Sequence, residues 1–527
     1  MANRAGAVEV PGLTREAVVA ATAEGPDAVY ELIVSLITPL VDHISRLEAQ
    51  ISKDSHNSSK PPSSDSVRGQ RHPKSLRGKS GKRPGGQPGH PGTTLEMSEA
   101  PSVILDHAAT HCAVCGRELS HGLPASELEV VERRQVFDIV PARPEVTEHR
   151  LLRQRCSACG SWTCGEFPAG VRASVQYGPE ILALSVYLTA GQFIPFKRAS
   201  ELLGVIAGQP VRVGMGGGIS PATVEAAEER AARALLPLGE DIFGKLQRSH
   251  AVHFDETGCF VEKKLDWLHT ASTRWLTHYT VHPKRGHEAM NAIGLLPSFH
   301  GTAVHDGWKA YNAEHFPCRH ALCGVHLLRE LTFVTEEASK KSEANKEQRG
   351  EKGEKGEKGE RKQKWWSAKF KQLLLGMKDS TDRARERGQR QLEPEVLRYY
   401  EQRYQALLQE GDLAEPPPGK AGRRGGPRVR TPGRNLVERL RAQRDAVLCF
   451  LYDFSVPFDN SEAERDLRMM KVDGKISGGF RTREGARHFA TIRGYLNTAR
   501  KQGHSALEAL RDLFAGHPFQ PAIALPE

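Results

Sequence analysis

The strongest constraint on the fold is the run of apolar patterns that begins at residue 250. A-V-H-F-D, Ala251 to Asp255, alternates as a half-buried strand does. Asp255-Glu256 ends the alternation, and Thr257-Gly258 is expected to turn the chain. Two more strand-like runs follow, C-F-V-E-K-K-L-D-W-L-H-T-A-S-T and R-W-L-T-H-Y-T-V, and then a helix-like G-H-E-A-M-N-A-I-G-L-L. G-T-A-V-H-D-G-W-K-A-Y then sets Asp306 just after the apolar Ala303-Val304. An acid beside a turn most often bonds nearby backbone. Asp255 therefore gains chemical meaning only if the chain supplies it with partners.

Three strands, a helix and a fourth strand is the element order of the ribonuclease-H-like fold, an α/β class. There the first and fourth strands are neighbours, which sets Asp255 and Asp306 side by side. A helical stretch containing Cys323-G-V-His326 comes next. Residues 339–362, with their E-K-G repeat, are too charged and too poor in apolar residues to build a core. Helical sequence resumes at Trp365, Trp366 and Leu373 to Leu375, and again at Leu397 to Leu408 and at 435–453. A basic loop, P-P-P-G-K-A-G-R-R-G-G, interrupts it. In V-P-F-D-N-S-E-A-E-R-D-L-R-M-M-K, Asp459-Asn460-Ser461 caps a helix on which Glu464 and Arg468 share a face. Taken alone, that stretch reads as an ordinary charged helix.

The net charge of +10 and a pI near 9.1 favour a polyanionic partner, although 26% charged residues is ordinary. The charge is concentrated at Lys60, Arg68, Arg71, Lys74, Arg77, Lys79, Lys82 and Arg83, and again between Lys420 and Arg434. Residues 27–51 space Ile33, Ile37, Leu40, Ile44, Leu47 and Ile51 as an amphipathic helix interrupted by Pro39. The Ser/Pro-rich Ser52 to Ser66, the basic stretch and G-G-Q-P-G-H-P-G read as a linker. It suits a phosphate backbone or a plain tether equally well. No apolar run approaches the roughly 20 residues of a membrane span, and no secretory signal is visible. Those features predict a cytoplasmic, nucleoid-associated protein with no membrane partner.

Cys112-A-V-Cys115 and Cys156-S-A-Cys159 are each followed by glycine. Four thiolates make a closed tetrahedral Zn²⁺ site with a structural role. The intervening V-V-E-R-R-Q-V-F-D-I-V and E-V-T-E-H-R-L-L-R-Q-R-C look like strands, which would make a zinc ribbon. His111 and Cys164 are competing ligands. From Gly178 to Ser249 the pattern is helical, and Ser220-Pro221 forms a good helix start. This region fits a helix-turn-helix DNA reader or a plain packing module.

Two aspartates on strands and a glutamate on a late helix can hold two Mg²⁺ (or Mn²⁺) ions for in-line phosphoryl displacement. Carboxylates are required because these ions are hard and prefer oxygen. Glu256 rivals Asp255 but should point to the other face of its strand. Asp459, Glu462 and Asp466 rival Glu464, with Asp459 expected to act as a cap. His253 shares a face with Asp255 and is expected to support it, or to be a ligand. Arg465, Arg468, Lys471 and Lys475 fit either contacts to a DNA backbone or a solvated helix face.

These residues resemble a family. S-H-N-S-S-K-P-P-S-S-D-S, the two cysteine pairs, H-F-D-E-T-G, V-H-D-G-W-K-A-Y, H-A-L-C-G-V-H-L-L-R-E-L, D-N-S-E-A-E-R-D-L-R-M-M-K and K-I-S-G-G-F-R-T resemble, in order, bacterial insertion-sequence transposases of the IS66 family. The resemblance implies a DDE-type enzyme whose acids are Asp255, Asp306 and Glu464, with a helical insertion between the last two. It implies hydrolysis at the ends of a DNA element and joining of the freed 3′-hydroxyl to target DNA. Its partners would be double-stranded DNA, a second copy of the chain in a homo-oligomer on DNA, and accessory transposition proteins. A structure-specific nuclease and a non-catalytic zinc-containing DNA-binding regulator are the alternatives. Cys323 and His326 receive no role, a second metal site being the lesser option.

The resulting division is an N-terminal helical region (1–54), a basic linker (55–108), a zinc-binding domain (109–170) and a helical, candidate DNA-binding region (171–248). Catalytic core segments follow at 249–338 and 441–505, separated by a low-complexity and helical insertion (339–440), with a C-terminal tail at 506–527.

Overall fold

The computed structural model describes residues 15–35, 37, 97–107, 109–118, 130–137, 145–159, 161–168, 170–207, 219–311, 315–348, 365–417 and 430–523. Most of the expected linker, the E-K-G repeat and most of the second basic cluster lie outside the described residues, as do Pro39 and the later part of the 27–51 pattern. The chain divides into two compact units, Gln70–Val146 with Ile206–Gly208, and the remaining residues.

In the first unit the described residues carry little regular structure. His111 pairs with Glu118 as an isolated bridge, and the Gln135 side chain bonds both backbone groups of Ser98. Residues 130–137 form no strand, which corrects the expected ribbon. The reason is visible in the side chains: Val130, Val131 and Val136 are 70%, 92% and 91% exposed. An alternating pattern without a surface to bury against gains nothing from a ladder.

The second unit begins with α1 (Arg15–Glu24) and a further helix over 26–35. A small antiparallel pair follows, β1 (Arg153–Arg155) and β2 (Trp162–Cys164). Of the second expected ribbon segment, only these last three residues of the run before Cys156 are strand.

Next come α2 (Pro179–Val186), α3 (Phe196–Ile206) and the long α4 (Pro221–Gln247). Ser220 caps α4 as its sequence predicts, its hydroxyl accepting from the Thr223 N–H. Ala227, Ala231, Leu235, Leu238, Ile242 and Leu246 are all buried along α4, so this helix is a packing element.

The centre is a five-stranded sheet. β3 (Ala251–Val261), β4 (Lys264–Ser272) and β5 (Thr277–His282) are antiparallel neighbours. After α5 (His287–Ile293), β6 (Thr302–His305) lies parallel to β3, and β7 (Arg319–Leu322) parallel to β6. The order across the sheet is β5-β4-β3-β6-β7.

One expectation fails here. Thr257-Gly258 does not turn the chain: β3 runs through it to Val261, and the hairpin falls at Glu262-Lys263, both at positive φ. Thr257, Cys259 and Val261 are buried, so continuing the strand serves the core better than stopping at a Thr-Gly. The helix expected around Cys323-G-V-His326 forms from Gly324, and the short strand β7 just before it carries no sequence signal, because four residues are too few to show a period.

Even and odd positions of β3 face different cores. Val252 and Phe254 pack with Ala271, Met290, Phe299 and Ala303. Cys259 and Val261 pack with Leu268, Tyr279 and the helices of the other side. The insertion is α6 (Gly324–Gln348), α7 (Trp366–Glu386), α8 (Pro394–Ala414) and α9 (Pro432–Ala442), with a core of its own centred on Phe370, Leu374, Tyr404 and Leu407. The chain returns to the sheet through α10 (Ser461–Ile476), α11 (Arg483–Lys501) and α12 (Ala506–Ala515). The Thr498 hydroxyl on α11 accepts from the Thr277 N–H at 3.0 Å, so a helix covers the β5 edge.

Candidate active site

Asp255 sits in the middle of β3, and Asp306 directly follows β6. Ala251, Val252 and His253 pair with Thr302, Ala303 and Val304. Continuing that register puts Asp306 level with Asp255, on the sheet face opposite Phe254 and Ala303. Gly307 then takes φ +82, a left-handed turn that lets the Trp308 N–H reach back to Asp306 Oδ1 at 2.8 Å.

The third candidate acid, Glu464, lies on α10, and Asn460 ties the start of that helix to β3. Asn460 Nδ2 donates to the Phe254 carbonyl at 2.9 Å, and its Oδ1 accepts from His253 Nδ1 at 2.9 Å. The start of α10 is thereby fastened to the residues just before Asp255. Cap chemistry alone reads Asn460 as a local helix starter; the long-range bonds assign it the task of positioning. No sequence signal marks this, because the partners lie about 206 residues away. His253 is buried and neutral, burial holding its ring below the usual histidine range, and it serves as a support.

The rival acids have other partners. Glu256 lies on the opposite face, where Arg285 Nε donates to it at 2.7 Å and the Tyr311 hydroxyl at 2.6 Å. Asp459 was expected to cap α10, but the N-cap is Asn460 and makes no side-chain cap bond; Asp459 accepts from the Ser461 N–H two residues on, an Asx turn ahead of the helix. Glu462 pairs with Arg465 and lies 3.7 Å from Lys501. Asp466 accepts from Ser272, Thr277 and Lys501. Glu464 has none of these anchors.

The electrostatics link Asp255 to the other two acids. Burial, followed by the charges of Glu256, Asp306 and Glu464, raises the Asp255 carboxyl well above the usual carboxylate range. Burial and Glu256 push Asp306 up to about 7, against the pull of Arg285. Burial also raises Glu464, with Arg329, Arg468 and Lys471 opposing it. Buried acids that repel one another and take only oxygen-donor chemistry fit hard divalent ions, which would remove both costs.

A profile described as Transposase IS66 family matches residues 174–488. The chain belongs to this family. The transposase also matches a profile for the zinc-finger binding domain of transposase IS66 over residues 109–160, and a family of unknown function over 16–96. No curated protein and no solved structure matches it. It is a DNA transposase of the DDE type, an enzyme class that works with divalent metal, and it carries a zinc-finger domain.

In the transposase, Cys112, Cys115, Cys156 and Cys159 all fall inside the zinc-finger match. Each pair sits on a tight turn. The Cys112 N–H bonds the Arg117 carbonyl at 2.8 Å, and the Cys156 N–H bonds the Ser161 carbonyl at 2.7 Å. Backbone N–H groups of Cys115 and Val114 lower the Cys112 thiol, and the Ser161 hydroxyl and N–H lower Cys159. Such N–H groups favour thiolate, the form that binds metal. Cys164 lies beyond the match, at the end of β2, and His111 is engaged with Thr110.

Arg465, Arg468, Lys471 and Lys475 are all exposed on α10. Arg465 points to Glu462. Arg468, Lys471 and Lys475 stand four, seven and eleven residues after Glu464, on its side of the helix. No helix among the described residues is long and apolar enough to cross a membrane.

Proposed function

We propose that Asp255, Asp306 and Glu464 hold two divalent ions, Mg²⁺ or Mn²⁺, on a ribonuclease-H-like core, and that this site cuts element ends and joins them to target DNA. One observation carries the reading. Two aspartates stand level on neighbouring parallel strands, and Asn460 ties to that same strand the helix that bears Glu464. The sheet order β5-β4-β3-β6-β7, with three antiparallel strands followed by two parallel ones, supports the core assignment.

When bound, the ions supply activation of a water or 3′-hydroxyl and neutralise charge on the leaving oxygen. The chain does the rest. The three carboxylates fix the ligand set, and the sheet holds two of them without side-chain search. Arg468, Lys471 and Lys475 align the phosphate backbone beside Glu464. Cys112, Cys115, Cys156 and Cys159 bind a structural Zn²⁺ that orders a DNA-contacting module. Element ends must be paired before joining, so the active form is a homo-oligomer on DNA, with accessory proteins as further partners.

The test uses purified protein, labelled element-end DNA and Mg²⁺ or Mn²⁺. Cleavage followed by joining is expected. Cleavage without joining would point to a nuclease, and binding without cleavage to a regulator. Activity that survives both Asp255→Ala and Asp306→Ala would reject the acid assignment.

A further inference from the structure

Cys323 and His326 have no part in that reading, yet they sit beside it. α6 begins directly after Cys323, and His326 stands three residues on, so thiol and imidazole share one side of the first turn. Two hydrogen bonds donated by backbone N–H groups join this helix start to that of α10. The Asn460 N–H reaches Cys323 Sγ at 3.2 Å, and the Gly324 N–H reaches the Phe458 carbonyl at 2.8 Å. Gly324 is required for this approach: a Cβ there would lie 2.2 Å from the Phe458 ring. Glu464, in the first turn of α10, brings Oε1 to 3.6 Å from His326 Nδ1. The sulfur, a ring nitrogen and a carboxylate oxygen lie within 4.8 Å of one another. His326 is 6% exposed, and its buried Nδ1 has no hydrogen-bond partner.

We propose that Cys323, His326 and Glu464 form a second metal site, one that takes a borderline-soft divalent ion such as Zn²⁺ or Co²⁺. Sulfur, nitrogen and one oxygen are the donor set such ions select, whereas Mg²⁺ prefers oxygen throughout. Metal–ligand bonds of about 2.0–2.3 Å in a tetrahedron imply ligand separations of about 3.3–3.6 Å. The His326–Glu464 pair already stands at 3.6 Å. No other separation has to close by more than about 1.5 Å from the observed bound of 4.8 Å. Three protein ligands leave a fourth position open.

The chemistry balances. The thiol proton leaves to solvent as the ion binds, and thiolate plus carboxylate neutralise the dication. The starts of α6 and α10 both favour the anionic ligands. Burial first, then the charges of Arg329 and Arg439, keep the His326 imidazole neutral, the form with a free lone pair; Arg439 is itself held by Glu330. These two cations oppose the ion, so the site is weaker than a four-thiolate one.

The consequence is competition. An ion held here takes Glu464 away from Asp255 and Asp306, so Zn²⁺ inhibits cleavage supported by Mg²⁺. This consequence, unlike the site itself, rests on the reading of Glu464 as the third acid.

The test is a Co²⁺ titration of chelator-stripped full-length protein, following bound metal and thiolate-to-cobalt absorption. The cysteine pairs at 112–115 and 156–159 give an internal reference in every variant. Cys323→Ser and His326→Gln are each expected to lose one bound equivalent per chain, with the absorption of a single thiolate. Unchanged stoichiometry in both overturns the site. X-ray absorption of cobalt-loaded wild type needs no variant: nitrogen and oxygen neighbours beside sulfur support the site, and sulfur alone overturns it. Zn²⁺ inhibition that persists in Cys323→Ser, after its metal is lost, overturns the sharing of Glu464. If Asp255→Ala and Asp306→Ala leave cleavage intact, the acid reading falls while the cobalt result stands.

Discussion

The acids and the paired cysteines, the two proposed ligand sets, are held in opposite ways. Asp255 stands on a strand whose flanking residues Val252, Phe254, Cys259 and Val261 are all buried, and Asp306 follows a strand buried at all four positions. Folding brings these carboxylates together against their own repulsion. Around the cysteines, Val114 is 96% exposed and Trp162 61% exposed, and the turns are held by a few backbone bonds. No described apolar core supports them. On the proposed ligand sets, the core would hold its acids in place before any metal arrives, whereas the finger's order would depend on its metal.

The largest effect should come from the acids. Asp255→Ala or Asp306→Ala is expected to lower cleavage of element-end DNA by about three orders of magnitude or more, roughly 4 kcal/mol of lost transition-state stabilisation. The core should stay folded, because removing one of several repelling acids relieves a cost. Single-turnover cleavage rates with a far-ultraviolet melt alongside check both halves. A variant that lost activity only through unfolding would break the contrast.

Cys112→Ser combined with Cys156→Ser probes the other side. It is expected to abolish zinc binding at the finger and to raise amide exchange across 109–160, while amides of β3 and β4 keep their protection. Zinc content and hydrogen exchange read this directly. Unchanged finger zinc would reject the four-cysteine ligand set. Exchange spreading into β3 would show that core order depends on the finger.

The same contrast explains what the sequence made legible. Asp255 and Asp306 could be paired because the order of strands and helix matches a fold whose first and fourth strands are neighbours. The Ser220 cap was readable because its chemistry is local. β7 was not, since four residues carry no period, and neither was the hairpin at Glu262-Lys263, where burial of Val261 outweighs the turn signal of Thr257-Gly258. Of the strands expected beside the cysteines only Arg153–Arg155 forms among the described residues, because alternation predicts a strand only where a surface exists to bury one face. Periodicity could not separate Glu464 from Asp459, Glu462 and Asp466. Their partners, among them Lys501 and Ser272, come from distant parts of the chain.

Asn460 tests whether preorganisation in the core acts through position. Asn460→Ala strips bonds from buried His253 and from the Phe254 carbonyl, at a cost of about 1–3 kcal/mol in stability. Glu464 should then sit less precisely, so the cleavage rate falls while DNA affinity holds. Fluorescence anisotropy on element-end DNA separates the two. A loss confined to affinity would assign Asn460 to DNA contact and remove its positioning role.

The smallest effect concerns the cost of holding the acids together without metal. Asp306 is raised to about 7 and Asp255 well above the usual carboxylate range, both chiefly by burial. An acid whose folded pKa exceeds its unfolded value of about 3.9 stabilises the fold fully only below that value. The contribution is lost as pH rises through the folded pKa. Chelator-treated protein should therefore melt lower as pH goes from about 4 to about 7, with carboxylates elsewhere that gain stability over the same range contributing equally to wild type and variant. Asp306→Asn keeps the shape but cannot ionise, so it should flatten this acid's share and melt higher than wild type at pH 7 without metal. Adding Mg²⁺ should raise the wild type more than the variant, because the ion relieves a repulsion the variant no longer has. Equal melting of both proteins in chelator at pH 7 would mean the pocket bears no such cost. The acids would then resemble the cysteines, brought into place by their metal.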